Sequence, residues 1–398
     1  MSARNTKTHT IGQGLLCWIN LFGLIIERLR KSNISMIPYA KDRFSKENER
    51  KLALTVSDYQ NNWEYYYIQY SKVLDFLLGI ANEKHYLINR QHRSFMFIFR
   101  HTVELMLKYV VNEKGIAPRN THNLKELANE IDADFSTLIS ALPNLFPEDD
   151  GAMFKYDASK DGIPYFGVHR ILYACSDCQA FVRFTKSNEG RFSLYPISQD
   201  VDINDKKLKH ELSFYIHECR GVGVIRSHYD ITIDMLVSGV IKGQLSINDI
   251  YLPLFFLLRH GIELALKSNI QDIGNKVSIK KLQKIGGIHS IEQLYHILMS
   301  YIRPAVDKIP QGEIFRIETE SFIKDVSRLN NCIHNLDVHS KAFRFPSIKS
   351  PLTLNRNSLI NTLKLYYSTD AFLTNAVNVL MYSGYLEVGD DKLAELYY

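Results

Sequence analysis

The sequence predicts a mainly α-helical protein built from two related halves. One helical pattern occurs twice, as FIFRHTVELMLK at Phe97–Lys108 and as FLLRHGIELALK at Phe256–Lys267. Each copy is followed by a shorter echo, HNLKEL at His122–Leu127 and HSIEQL at His289–Leu294. The interval between the motif arginines, at positions 100 and 259, suits two units of domain size better than a solenoid of short repeats. Two matched motifs in matched order therefore indicate an internal duplication.

Each copy of the motif carries three charged residues at four-residue spacing, which places them on one face of a helix: Arg100, Glu104 and Lys108, then Arg259, Glu263 and Lys267. The rest of the motif is largely apolar, so this helix should be buried and its charges must be paired. One interpretation is a structural ion-pair ladder. The other is an anion or phosphate site that uses the arginine and the adjacent histidine, His101 or His260. His122 and His289 are expected to start the next helix and close back onto the ladder.

Composition bounds the class of protein. The chain has 398 residues, of which 45% are hydrophobic, so it can bury a sizeable core. A net charge of +5 permits nucleic-acid contact without requiring it. Five cysteines in this length do not form a disulfide framework, which favours the cytoplasm. We predict an N-terminal extension over residues 1–40, a first half over 41–200 and a second half over 201–398.

The N-terminal extension contains an apolar run, Gly14–Ile26. Its thirteen residues are too few to span a bilayer, and no small-residue cleavage site follows. A docked amphipathic helix is the preferred interpretation over a signal or anchor. No membrane partner is expected unless this run inserts.

Helical patterns follow along the remainder of the chain. The predicted helices are Asn48–Ile80, with an aromatic-rich core face, Asn89–Asn112, Asn123–Ile131, Ile171–Phe184, Lys206–Cys219, Ile291–Arg303, Glu313–His334 and Asn357–Tyr385. Lys186–Lys207 is the predicted linker, with a short strand at Phe192–Tyr195. Gly221, Gly223, Gly239 and Gly243 predict loops or a hairpin. The basic segment Lys276–Lys284 is interpreted as a solvated face, with nucleic-acid contact as the alternative.

Several common catalytic motifs are absent from the sequence: GxxxxGK[ST], GxGxxG after a strand, GxSxG and HExxH. Cys175-x-x-Cys178 with His217 and Cys219 has an unusual spacing for zinc, and both pairs fall in predicted helices, so buried thiols are the better interpretation. We expect no metal and no cofactor.

The second half, over roughly Ser246–Ser347, resembles HEPN-like helical domains of bacterial defence and toxin systems. The resemblance rests on LLRHGIELALK, on HSIEQL and on the stretch from Arg328 to FRFP at Phe343–Pro346. The first half resembles the same pattern through FRHTVELMLK and HNLKEL but lacks a clear equivalent of FRFP. The resemblance implies two related helical bundles packed as a pseudo-dimer, with minor β or loop insertions.

In the ribonuclease members of this family, an Arg-x(4–6)-His motif cleaves RNA without metal. Arg328 and His334 have this spacing. The resemblance implies that the histidine acts as general base or acid and that the arginine stabilises charge on the phosphate. Asn330 and Asn331 precede the histidine by four and three residues and can share its face. Arg344 of FRFP is a further candidate for binding.

Two functions are carried forward. The first is a defence or toxin-type protein that acts as a metal-independent endoribonuclease through Arg328 and His334. The second is a catalytically inert helical module that recognises a protein or nucleic-acid partner, favoured by the absence of an Arg-x(4–6)-His motif between Asn89 and Phe184. The implied partners are RNA or a protein of the same system, and a homodimer stays open.

Overall fold

The computed structural model describes residues 43–55, 59–159, 164–166, 170–216, 222–273, 285–337, 341–346 and 352–386. Its helices, numbered in chain order, are α1 (Lys46–Lys51), α2 (Trp63–Glu83), α3 (His92–Glu113), α4 (Leu124–Asn129), α5 (Ala133–Ser140), α6 (Ala174–Phe192), α7 (Lys206–Glu211), α8 (Val222–Ile241), α9 (Tyr251–Asp272), α10 (Ile291–Asp307), α11 (Ile314–His334) and α12 (Ser358–Tyr382). Two short strands complete the described part, β1 (Arg170–Tyr173) and β2 (Ser213–Ile216). The prediction of a mainly α-helical protein is confirmed.

The two motif helices, α3 and α9, lie at the centre of the packing. Helix α3 packs against α2 and α8, and α9 packs against α8 and α2, so these four long helices of the two halves contact one another crosswise. Helix α9 also contacts α10 and α12, and α11 packs on both of these. Nearly every residue of α3 and α9 is buried, as their apolar composition predicts.

The rings of Phe97 on α3 and Phe256 on α9 stack with centroids 4.5 Å apart. Both phenylalanines stand three positions before the motif arginine. A contact between a position and its own counterpart is what a two-fold relation between two halves produces.

Each motif helix receives its N-terminal cap from the opposite half. Neither α3 nor α9 has a side-chain cap from its own preceding residue, which leaves amide groups without partners. The amide of Leu252 donates to Gln69 Oε1 at 3.0 Å, and the amide of Arg93 donates to His228 Nδ1 at 3.3 Å. The offset that relates Arg100 to Arg259 also relates position 69 to 228 and position 93 to 252. The two capping contacts therefore join equivalent positions of the two halves.

The strands differ from the prediction. Residues Ile171–Phe184 and Lys206–Cys219 were expected to be helical throughout, and Phe192–Tyr195 was expected to be the strand. Instead β1 and β2 pair antiparallel, with Arg170 opposite Ile216, and α6 runs on to Phe192 through the start of the predicted linker. Tyr173 and Tyr215 carry their rings at the surface of this strand pair, a solvated face that is compatible with a two-stranded antiparallel arrangement.

Two of the glycines that predicted loops or a hairpin, Gly223 and Gly239, lie within a helix instead, and Gly221 lies outside the described residues. Residues 222–241 form the continuous helix α8 rather than loops or a hairpin. A Cβ atom on Gly239 would lie 2.8 Å from the ring of Phe76, so this glycine permits close approach between α8 and α2. Gly243 ends the segment with φ of +77°, the left-handed conformation that glycine adopts without strain.

Several predictions fall outside the described residues. They concern the N-terminal extension with its apolar run Gly14–Ile26, the basic segment Lys276–Lys284, and His217 and Cys219. Among the helices that the structure describes, none combines the length and apolar character needed to cross a membrane.

Candidate functional site

The first ladder lies on α3 and is almost fully buried. Glu104 is its centre: Lys108 Nζ is 2.8 Å from Glu104 Oε1, and Arg100 Nη1 is 3.8 Å from Oε2. His122 Nδ1 is 2.8 Å from the same carboxylate. The residue after it, Asn123, caps α4 by accepting the amide of Glu126 at 3.1 Å. The HNLKEL echo thus combines a ladder histidine with a helix cap.

The guanidinium of Arg100 is occupied by backbone carbonyl groups. It donates to the carbonyl oxygens of Leu145 at 3.1 Å and His122 at 2.7 Å, and also to that of Asp149. With these bonds and its ion pair, this arginine ties the loop after α5 to the motif helix.

The second ladder, on α9, repeats the arrangement. Glu263 contacts Lys267 Nζ at 2.8 Å, Arg259 Nη1 at 3.0 Å and His289 Nδ1 at 3.1 Å. Arg259 donates to the carbonyl oxygen of His289 at 2.6 Å, the counterpart of the bond from Arg100 to His122. Ser290 then caps α10 by accepting an amide at 3.2 Å. All three charged residues of this ladder are at most 2% exposed.

The ladder carboxylates are ionised. Burial raises the pKa of Glu263, but the Lys267 ammonium, the hydrogen bond to His289 and the Arg259 guanidinium outweigh it and hold that pKa well below its usual range. The pKa of Glu104 is also held well below its usual range, because His101, His122 and Lys108 lower it by more than burial raises it. Both ladders are closed ion-pair networks, which is the structural interpretation of the motif.

The histidines next to the motif arginines are buried and neutral. Burial lowers the pKa of His101 to about 4 and that of His260 to about 3. His101 Nε2 donates to the carbonyl oxygen of Arg344 at 3.2 Å, and His260 Nε2 donates to that of Lys155 at 3.1 Å. The structure therefore uses both histidines to fasten a segment from the opposite half.

These two segments are counterparts. The first half supplies Phe154–Tyr156 (FKY) to the second ladder, and the second half supplies Phe343–Phe345 (FRF) to the first ladder. Tyr70 donates to the carbonyl oxygen of Phe343 at 3.2 Å, and Tyr229, at the corresponding position of the second half, donates to that of Phe154 at 3.3 Å. We name them the exchanged segments. The first half thus has an equivalent of the FRF part of FRFP, which the sequence comparison missed.

The last aromatic residue of each exchanged segment covers the ladder lysine. Lys267 Nζ lies 4.7 Å from the ring centroid of Tyr156, and Lys108 Nζ lies 4.6 Å from that of Phe345. Tyr156 also donates to Glu263 Oε1 at 3.0 Å. The aromatic–basic–aromatic triplets were readable in the sequence. However, FKY follows the first motif more closely than FRF follows the second, so a fixed offset does not align them.

The guanidinium of Arg344 lies over two aromatic rings, 5.6 Å from the centroid of Phe256 and 5.3 Å from that of Phe345. Arg344 is half-buried at the junction of the halves. Its contacts bring it close to the first ladder and the central aromatic stack.

Arg328 and His334 lie near the end of α11 with different partners. Arg328 is exposed, and its Nη1 is 3.4 Å from Asp325 Oδ1. His334 has 19% of its side chain exposed, and its Nε2 is 3.2 Å from Glu292 Oε2 at the start of α10. Helical geometry over six positions places the two side chains about 120° apart around the axis and ~9 Å apart along it. The two residues therefore point in different directions.

The two asparagines also differ. Asn330 is buried and its Oδ1 has no hydrogen-bond partner among the described residues, whereas Asn331 is exposed. The buried Nδ1 of His334 likewise has no partner there. Asn330 and His334, one helical turn apart, share one face of α11.

A cavity of about 480 Å³ lies between α10 and α11. It is lined by Tyr295, Arg303, Val306, Asp307, Glu320, Ile323, Lys324, Ser327 and Arg328. Arg328 is thus part of a basic groove, while His334 is not among the residues that line it.

The cysteine pair of α6 is buried, and the residues considered with it, His217 and Cys219, lie outside the described residues. Cys175 and Cys178 are buried, and burial raises the pKa of both thiols, which disfavours the thiolate that zinc requires. In the described ranges there is no group of three or more histidine, cysteine or acidic side chains that could hold a metal ion.

Comparisons of the chain with family models, with curated proteins and with solved structures gave no match.

Proposed function

We propose that the chain is a catalytically inert helical binding module of a bacterial defence or toxin system, formed by two HEPN-like halves packed as a pseudo-dimer. The repeated motif supports the HEPN-like assignment. The matched ladders, the stacked Phe97 and Phe256 rings and the exchanged segments support the pseudo-dimer.

The observation that carries the proposal is the separation of Arg328 from His334. A general base and a phosphate-stabilising cation must reach the same phosphodiester. Here Arg328 lines the cavity between α10 and α11, whereas His334 pairs with Glu292 outside that lining. The other arginine–histidine pairs, at 100–101 and 259–260, are buried in the ladders and hold backbone carbonyl groups.

Recognition by this module must therefore use its surface rather than the motif helices. Arg100, His101, Arg259 and His260 were candidates for binding, and these residues are at most 3% exposed. Among the described residues, the exposed cations of α10 and α11 offer one such surface for RNA or a protein of the same system.

Incubation of total RNA with the purified protein in EDTA tests this proposal. We expect no RNA cleavage that depends on His334, so the wild type and His334→Ala should give the same result. Arg328→Ala serves as the second variant, and circular dichroism establishes that both variants keep their helices. Metal-independent cleavage that is lost in His334→Ala would contradict the proposal.

One observation favours the ribonuclease as a second candidate. Glu292 Oε2, 3.2 Å from His334 Nε2, can orient the imidazole as the carboxylate of a base–orienter pair does. If RNA cleavage by His334 were found, Glu292→Gln would be expected to reduce it by a smaller factor than His334→Ala, and an equal rate in Glu292→Gln would exclude the pair.

A further inference from the structure

We propose that the cavity between α10 and α11 binds a small organic phosphate, that is, a phosphate group attached to an apolar or aromatic body. Occupation of this cavity requires neither RNA cleavage nor a macromolecular partner, so the site goes beyond the proposed function. Four observations support it: exposed cations of which two lack an acidic partner among the described residues, a buried hydroxyl group without a partner, an apolar wall and a suitable volume.

Three cations line the cavity, Arg303 from α10 and Lys324 and Arg328 from α11. Lys324 and Arg328 are one turn apart, a spacing at which like charges repel. Among the described residues, neither Arg303 nor Lys324 has an acidic partner within ion-pair distance. The ion pair of Arg328 with Asp325, at 3.4 Å, is at the long end of the hydrogen-bond range.

The acids of the cavity are engaged elsewhere. Asp307 and Glu320 both line it, but both pair with Arg316, at 3.6 Å and 2.8 Å. They therefore do little to compensate the three cations. Arg303, Lys324 and Arg328 are all exposed at the mouth of the cavity. A dianionic phosphate placed between the two helices would give them a shared anionic partner, and arginine side chains bind phosphate oxygens in a forked geometry.

The second observation is the buried hydroxyl group of Tyr295. Its side chain is 5% exposed and lines the same cavity, and its hydroxyl group has no hydrogen-bond partner among the described residues. A buried hydroxyl group without a partner costs free energy, and a ligand oxygen that displaced the atoms now covering it would satisfy it.

The remaining lining selects the body of the ligand. Val306 and Ile323 are buried apolar residues, and with the ring of Tyr295 they form an apolar wall beside the cations. The volume, about 480 Å³, lies within the range of small-molecule sites. An inorganic ion would leave this wall without contacts, whereas a phosphate ester with an aromatic body would cover it.

Isothermal titration calorimetry of the full chain at low ionic strength tests the site, with phenyl phosphate as the probe and inorganic phosphate for comparison. We expect phenyl phosphate to bind more tightly than inorganic phosphate. Arg303→Gln and Lys324→Gln should each weaken its binding about tenfold, and Tyr295→Phe about threefold. Lys308→Gln is the matched control, because Lys308 is an exposed cation at the end of α10 that does not line the cavity.

Three results would overturn the proposal. They are an absence of phenyl phosphate binding, equal affinities for phenyl phosphate and inorganic phosphate, and a loss of binding in Lys308→Gln as large as that in Lys324→Gln. A 5′-phosphorylated RNA oligomer is the remaining arm. If it bound through Arg303 and Lys324 while phenyl phosphate did not, the cavity would be a nucleic-acid site instead.

Discussion

Substitution of Glu263 by glutamine is expected to destabilise the protein far more than substitution of its partner Lys267 by methionine. Glu263 is fully buried and is contacted by Lys267, Arg259, His289 and Tyr156 at 2.8–3.1 Å. Glutamine removes the negative charge and leaves two buried cations without it. Breaking a buried ion pair in this way costs about 3–5 kcal/mol.

Lys267→Met is different because it leaves a balanced pair. Arg259 stays 3.0 Å from Glu263, and methionine fills similar space. The loss is then chiefly the lysine hydrogen bonds, including the one to the carbonyl oxygen of Gly286 at 3.1 Å, or about 1–2 kcal/mol. The expected losses of unfolding free energy differ about two- to threefold, although both variants remove one member of the same ion pair.

Urea unfolding followed by circular dichroism measures both free energies of unfolding. Glu320→Gln is the control, because this glutamate pairs with Arg316 while 54% exposed and should cost no more than about 1 kcal/mol. If Lys267→Met destabilised the protein as much as Glu263→Gln, the buried charges would not be organised around the carboxylate and the reasoning would be refuted.

Two further predictions concern titratable groups. Because the folded-state pKa values of His101 and His260 are lowered to about 4 and about 3, the unfolded chain binds their protons first, and stability should fall as the pH drops below about 6.5. Each histidine contributes a slope of up to about 1.4 kcal/mol per pH unit. Unfolding at several pH values should show a smaller slope in His260→Gln and no change in the control His296→Gln, at an exposed position; an unchanged slope in His260→Gln would count against a neutral buried ring. Alkylation of the native protein followed by peptide mass spectrometry should label Cys332 before the buried Cys178, and the reverse order would show that Cys178 is accessible.

The sequence predicted the motif helices because their information is local. Four-residue spacing fixes which charges share a face, and the predicted closure of His122 and His289 onto the glutamates matches the contacts at 2.8 Å and 3.1 Å. The start of α10 and the end of α11 were likewise placed at the residues observed. Capping residues and apolar periodicity carried these predictions.

The wrong predictions concern features that depend on contacts between residues far apart in the sequence. Gly239 looked like a helix breaker, yet it is retained in α8 because Phe76 of another helix lies against it. Strands β1 and β2 pair across the intervening α6 and α7, so neither strand reveals its partner locally. FRFP was singled out in the sequence, but its first-half equivalent FKY was missed, because each triplet contacts the opposite half and neither half alone shows the match.

The sequence gives only the number of residues between Arg328 and His334 and not the directions of their side chains. That spacing satisfies the motif whether or not the two side chains reach one substrate. The partners of these residues, Asp325 and Glu292, decide their directions, and Glu292 comes from a different helix. The cavity beside Arg328 is also formed by two helices and is therefore invisible in either one alone.

Because each ladder is closed by a segment of the opposite half, we expect the two halves to form one cooperative unit. Hydrogen–deuterium exchange of Glu263→Gln beside the wild type tests this claim most directly. We predict that amide protection falls in α9 and also in α3, because loss of the second ladder releases Tyr156 and with it the exchanged segment of the first half. Loss of protection confined to α9 and its neighbours in the second half, with α3 unchanged, would contradict the account.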